Sequence, residues 1–182
     1  AAIQDRAYKI RAPLALFGSA WTATADGPAN MTVSVGDATH TLPGPALIGS
    51  HQIQNAGLAV ACLQFLPDLP VDHDAMARGL LGTTWPGRLQ RLTGALAARL
   101  PDGAELWLDG GHNPGAGVSI AQFMGEQEER APRPLYLVSG MLTTKDPIGF
   151  FRPFHGLARY VGTVPITTTT TARTPEDLAD LA

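Results

Sequence analysis

A short apolar run followed by a capping side chain and a proline occurs twice in the second half of this chain, and it restricts the fold more than any other feature. Glu105 to Leu108 stops at Asp109-Gly110-Gly111. Asn113-Pro114 then supplies an N-cap and a proline at the first helical position, opening a helix to about Arg130. Leu135 to Val138 leads in the same way to Asp146-Pro147 and a helix to about Leu157, and Arg159 to Val164 gives the next strand. Strands alternating with helices imply right-handed βαβ units, so the spacing predicts an α/β fold with a mostly parallel sheet. Thr174-Pro175 repeats the capping signal for a last helix, and the run Thr167 to Thr171 reads as a loop without assigned function.

The first half follows a different pattern. Up to about Pro45 it alternates apolar and polar residues in short pieces, such as Leu14-Ala15-Leu16-Phe17 and Met31-Thr32-Val33-Ser34-Val35, broken by Asp26-Gly27-Pro28 and Gly36-Asp37; this is β-hairpin material. From Ser50, read as an N-cap, the stripe Ile53, Ala56, Val60 and Leu63 predicts a helix that Pro67 ends, with Cys62 on its buried face. Asp72 caps a shorter helix through Leu81. At Trp85-Pro86-Gly87 a residue held extended by the following proline precedes a glycine. The domain boundary is placed there, giving segments 1–84 and 85–182.

Composition narrows the function classes. The 182 residues carry a net charge of −3 without a Lys/Arg cluster, which argues against nucleic acid as the main partner. No apolar run approaches the roughly 20 residues that span a bilayer, and no secretion signal opens the chain, so no membrane partner is expected. A single cysteine excludes an internal disulfide framework and suits a reducing, cytoplasmic setting. Lys9 and Lys145 are the only lysines and neither follows a glycine, so Gly-x-x-x-x-Gly-Lys-Ser/Thr is absent. Gly115-x-Gly117 fails the dinucleotide spacing at Ile120, and Leu137 takes the first glycine place of a nucleophile elbow around Ser139. The five histidines have no metal-ligand spacing, so no metal site is expected from this chain. Asp109 remains the candidate: it ends a strand, where ligands of open α/β sheets bind, ahead of a helix N-terminus that favours anions. The same residues also read as a plain βα turn.

Four segments taken together carry more information: His51-Gln52-Ile53-Gln54-Asn55-Ala56, Trp85-Pro86-Gly87-Arg88-Leu89-Gln90, Leu106-Trp107-Leu108-Asp109-Gly110-Gly111-His112-Asn113-Pro114, and Ser139-Gly140-Met141-Leu142-Thr143-Thr144-Lys145-Asp146. In this order and spacing the chain resembles folylpolyglutamate synthase, including the bifunctional dihydrofolate synthase form, of the Mur ligase superfamily. The resemblance covers essentially the whole chain. It implies that 1–84 is the C-terminal end, with β-hairpin and helix, of a central ATPase domain. It also implies that 85–182 is a Rossmann-like Mur ligase C-terminal domain, cut short at its end.

Such enzymes use ATP to activate a folate or dihydropteroate carboxylate as an acyl phosphate, to which L-glutamate is joined. Cations and oriented donors must neutralise the charge that develops on phosphate. By resemblance, Arg88 would reach the ATP phosphates and act in catalysis, Asp109 would accept from the ribose hydroxyls, and Asn55 would contact the nucleotide. His112 would lie near the reacting groups or the glutamate, and Lys145 would bind the glutamate carboxylate. Each has a plainer reading: a surface strand arginine paired with a carboxylate, a turn aspartate, an exposed helix asparagine, a helix-start histidine and a solvated loop lysine. Gly111 stands where many relatives carry alanine, which is expected to loosen the loop. The phosphate loop, the Mg2+ ligands and a modified lysine belong to a region not present, so the chain alone is expected to be inactive, and the family leans towards a monomer. The alternatives are a stand-alone nucleotide- or protein-binding α/β module and a fragment of a Mur-type ligase for cell-wall precursors.

Overall fold

The computed structural model describes residues 2–66 and 68–182. It divides into two compact units, residues 1–84 and 85–182.

The first unit is a three-stranded antiparallel meander, β1 (Trp21–Asp26), β2 (Asn30–Val35) and β3 (Ala38–Pro43), in that spatial order. Gly27 and Gly36 take φ of 69° and 55° in its two turns, and the second is a two-residue turn joining Val35 to its partner Ala38. Alternation sends Trp21, Ala23, Met31, Val33, Val35 and Leu42 to one face. There they pack on Ala56, Val60 and Ala61 of α2 (His51–Gln64) and on Met76 and Leu80 of α3 (His73–Gly82). Asp72 caps α3 by accepting from the Ala75 N–H at 2.6 Å, and the His73 ring donates from Nε2 to the Thr41 carbonyl at 2.8 Å, tying α3 to β3.

Several expectations for this unit are corrected. Residues 2–10 form a helix, α1 (Ala2–Ile10), because Ile3, Ala7 and Ile10 recur at helical spacing among good helix formers, with Asp5 early and Lys9 late. Leu14 to Phe17 forms no strand and contributes only an isolated bridge from Phe17 to Trp21. Ser50 has helical backbone angles and makes no side-chain cap. The buried face of α2 runs through Gln52, Ala56, Gly57, Val60 and Ala61, which leaves Cys62 exposed. The absent Cβ of Gly57 sets that rotation: built there, it would lie 3.4 Å from Trp21 Cζ3 and clash with Ala23. The expected stop at Pro67 lies outside the described residues.

In the second unit β4 (Gln90–Leu92) pairs antiparallel with β5 (Leu106–Leu108), while β6 (Leu135–Ser139) pairs parallel with β7 (Ala158–Thr163). Between β5 and β6 runs α4 (Pro114–Arg130), and α5 (Pro147–Phe151) then leads into a 3-10 turn, Arg152–Phe154. The unit ends in α6 (Pro175–Ala179). The mostly parallel sheet is thus corrected to one antiparallel and one parallel pair: β5, only three residues long, pairs with β4, and β6 pairs with β7. The helix expected to reach Leu157 stops at Phe151, where Pro153 lacks the N–H needed to continue it. Capping by Asn113, Asp146 and Thr174 is found as expected, each accepting a backbone N–H three residues on. The core gathers Leu89, Ile120, Ala121, Phe123, Met141, three phenylalanines (Phe150, Phe151, Phe154) and Leu178. Helices α4 and α5 approach closely at Gly117, where a Cβ would lie 3.1 Å from the Phe150 backbone carbon.

Candidate functional site

The bend at Trp85-Pro86-Gly87 and the loop after β5 form one hydrogen-bonded cluster. Gly87 takes φ of 69°, its N–H donates to Gln90 Oε1 at 2.9 Å, and its carbonyl accepts from the Gly110 N–H at 2.8 Å. Leu89 is almost fully buried and holds φ of 41°, a left-handed conformation that a bulky residue adopts at a cost of about 1–2 kcal/mol. Its N–H donates to Asp109 Oδ2 at 2.7 Å, and the Gly111 N–H donates to Asp109 Oδ1 at 2.6 Å. The Asp109 carboxylate thus staples two segments 20 residues apart. Each of its oxygens keeps acceptor capacity after one bond. Arg88 lies between these two positive-φ residues, exposed, and pairs with no carboxylate among the described residues. The plain reading of Arg88 as a paired strand residue is therefore not what the structure has.

His112 is exposed, and its Nδ1 donates to the Gly110 carbonyl at 2.8 Å, since a carbonyl can only accept. In the neutral ring that bond leaves Nε2 as the unprotonated nitrogen, able to take a proton or a hydrogen bond. Gly111 does not loosen this loop. A Cβ there would lie 2.7 Å from Ile120 Cδ1 and 2.9 Å from Ala116 Cβ and Asp109 Oδ1, so glycine allows the loop to seat against α4.

Asn55 is exposed on α2, and its Nδ2 donates to Gln52 Oε1 at 3.0 Å. Gln52 is 4% exposed and donates from Nε2 to His51 Nε2 at 2.9 Å. The chain of bonds leaves Asn55 with its Oδ1 and one amide hydrogen for a ligand. Lys145 is half-buried in the loop after β6, its N–H donating to the Leu142 carbonyl at 3.1 Å. Among the described residues no hydrogen bond or ion pair joins this loop to residues 87–89 or 109–113.

Sequence reasoning missed Gln52 and Leu89. Gln52 is three residues before Asn55, a helical spacing that signals a side-chain pair; the left-handed Leu89 carries no local signal. It also missed Glu105, which sits between Arg91 at 3.2 Å and Arg133 at 3.0 Å and accepts from Trp107 Nε1 at 3.2 Å. The hydrogen bond from Arg133 holds the Glu105 carboxyl below its usual range; partial burial opposes this, and Trp107 and the Arg91 charge add to it. Glu105 also lines a hollow of about 400 Å³ with Arg91, Thr93, Ala98 and Leu106. Among the described residues no three His, Cys, Asp or Glu side chains group so as to hold a metal ion. Nor is any helix long and apolar enough to cross a membrane.

No protein-family model matches the sequence. Solved structures share the fold. The chain superposes along its whole length, with a TM-score of 0.79 and 24% identity, on a bifunctional folylpolyglutamate synthase/dihydrofolate synthase crystallised with Mn, AMPPNP and L-glutamate, covering 40% of that chain. On a Mycobacterium tuberculosis folylpolyglutamate synthase complexed with ADP and AMPPCP, 99% of the chain superposes with a TM-score of 0.76 and 24% identity, covering 39% of that chain. The fold is thus the α/β fold, with mixed sheets, of the folylpolyglutamate synthases.

In sequence the chain is 37% identical over 132 residues, 69% of its length, to a probable bifunctional folylpolyglutamate synthase/dihydropteroate synthase of Halobacterium salinarum, and spans 15% of that relative. The resemblance to the folylpolyglutamate synthase/dihydrofolate synthase family read from the four motifs is therefore shown.

Proposed function

We propose that this chain is part of an ATP-dependent ligase that adds L-glutamate to a folate or dihydropteroate carboxylate through an acyl phosphate, and that it supplies residues that contact the nucleotide. Residues 1–84 correspond in this reading to the end of the central ATPase domain and 85–182 to the C-terminal, glutamate-ligase domain. The observation that carries it is the Asp109 staple, which ties the turn bearing the exposed, unpaired Arg88 to the loop bearing His112. The staple fixes the backbone from which Arg88 projects and leaves its guanidinium free of any partner among the described residues, so the always-charged, planar fork is available to stabilise a transferring phosphoryl group.

In this reading Asp109 positions Arg88 through the Leu89 N–H and has acceptor capacity left for a ribose hydroxyl. Asn55, oriented by Gln52, offers a donor and an acceptor to the nucleotide. His112 presents Nε2 to the reacting groups, and Lys145 receives the glutamate carboxylate. ATP and a divalent ion, Mg2+, are the cofactors of the intact enzyme, the ion held by residues outside this chain. The chain alone is inactive.

The experiment is a phosphate-release and amide-formation assay on the full-length protein that carries this chain, with ATP, L-glutamate and either dihydropteroate or a folate. Amide product dependent on all three substrates supports the reading. Binding of nucleotide without product from any acceptor would replace it with the binding-module reading, and product only with a cell-wall precursor would move it to another Mur-type ligase.

A further inference from the structure

We propose that Arg173 is a positioning residue for the loop that carries Lys145, and that through this loop it sets the affinity for the glutamate carboxylate; the second clause rests on the role proposed above for Lys145. The Arg173 backbone N–H donates to the Met141 carbonyl at 2.9 Å, and Leu142 forms an antiparallel bridge with Ala172. Thr143 donates both its N–H and its Oγ1–H to the Thr171 carbonyl, at 2.8 and 3.1 Å. Residues 141–143, directly after the carboxyl end of β6, are thereby sewn to residues 171–173, at the end of the threonine run.

The Arg173 guanidinium closes the arrangement. Nη1 pairs with Asp177 Oδ2 at 2.7 Å, and Nη2 donates to the Thr143 carbonyl at 3.4 Å. Asp177 is itself held in the first turn of α6, where its N–H donates to the capping Thr174 Oγ1 at 3.1 Å. Lys145 hangs from the same loop by its bond to the Leu142 carbonyl. The Arg173 side chain is 21% exposed, and its Nε is buried without a partner among the described residues. A mostly desolvated guanidinium with one N–H unpaired is a poor way to add stability, so its value lies in the geometry it imposes. Crevices beyond the carboxyl ends of strands are where ligands of such sheets bind.

Two measurements test this. Amide hydrogen exchange on the 182-residue chain should show Thr143 and Lys145 exchanging at least about tenfold faster in Arg173→Gln, while the cap amides of α4 and α5, Ala116 and Gly149, keep their rates; unchanged exchange at Thr143 and Lys145 would overturn the positioning role whatever the chain's function. Asp177→Asn should produce a smaller change in the same direction. In the full-length protein, Arg173→Gln should raise KM for glutamate at least about fivefold with KM for ATP within twofold, and should add nothing in a Lys145→Ala background. Faster exchange together with additive KM effects, or with no glutamate dependence at all, would leave the loop geometry standing and overturn its link to glutamate.

Discussion

Removing the Asp109 carboxylate separates the structural work of this residue from any contact with a nucleotide. In Asp109→Ala the N–H groups of Leu89 and Gly111 lose acceptors at 2.7 and 2.6 Å. Two hydrogen bonds to a charged group amount to about 3–6 kcal/mol, but water can reach the half-buried site and satisfy the freed donors in part. Relaxation of Leu89 from φ of 41° returns about 1 kcal/mol more. The net loss worked from these terms is about 2 kcal/mol, equivalent to a fall in Tm of about 4–8 °C for a chain of this size. Asp109→Asn keeps one carbonyl acceptor and turns an amide N–H towards the other donor, so its Tm should fall between those of wild type and the alanine variant. The assay is thermal unfolding followed by circular dichroism, with amide exchange at Leu89 and Gly111 read in parallel. A Tm for Asp109→Ala within about 1 °C of wild type, with both amides still protected, would refute the staple and with it the account of how Arg88 is held.

Other outcomes follow from the same structure. Leu89→Ala opens a cavity in the second core and should cost about 2–5 kcal/mol, read from urea midpoints. Gly117→Ala drives a Cβ into the Phe150 backbone, so α4 and α5 must separate; Tm should fall, and the change should exceed that of Gly125→Ala, whose Cβ meets nothing. Glu105 has its folded-state pKa lowered by Arg133, Trp107 and Arg91, so it binds fewer protons folded than unfolded over the window between the two values. Its contribution is therefore complete above the ordinary carboxylate range near 4.5 and is lost as pH falls through the lowered folded value. The stability gap between wild type and Glu105→Gln, measured in urea from pH 7 to 3, should shrink on the acid side; a constant gap would show that the ion-pair network does not stabilise the fold.

What the sequence made legible was mostly local. Asp72, Asn113, Asp146 and Thr174 each cap a helix through a bond spanning three residues, a signal carried by residue type and spacing alone. The long-range bonds that tie these loops down span 20 and 30 residues, from Leu89 to Asp109 and from Arg173 to Thr143, and nothing in local pattern encodes them. Asp109 illustrates the difference. Its position at a strand end was readable, yet its side chain is turned to two backbone N–H groups and serves first to hold the turn. The rotation of α2 that exposes Cys62 likewise depends on how closely Gly57 approaches β1, a packing fact. The β4–β5 pair escaped notice because three-residue strands carry too little alternation to reveal their partners.

The most direct test of the account is the turnover of Arg88→Ala in the full-length protein, compared with wild type for ATP-dependent glutamate addition. Because Arg88 is exposed and makes no ion pair with a described residue, the variant should unfold within about 1 °C of wild type, while loss of one charge-stabilising group should lower kcat by about 100-fold or more. Wild-type turnover in a fully folded Arg88→Ala protein would contradict the assignment of this turn to the nucleotide site.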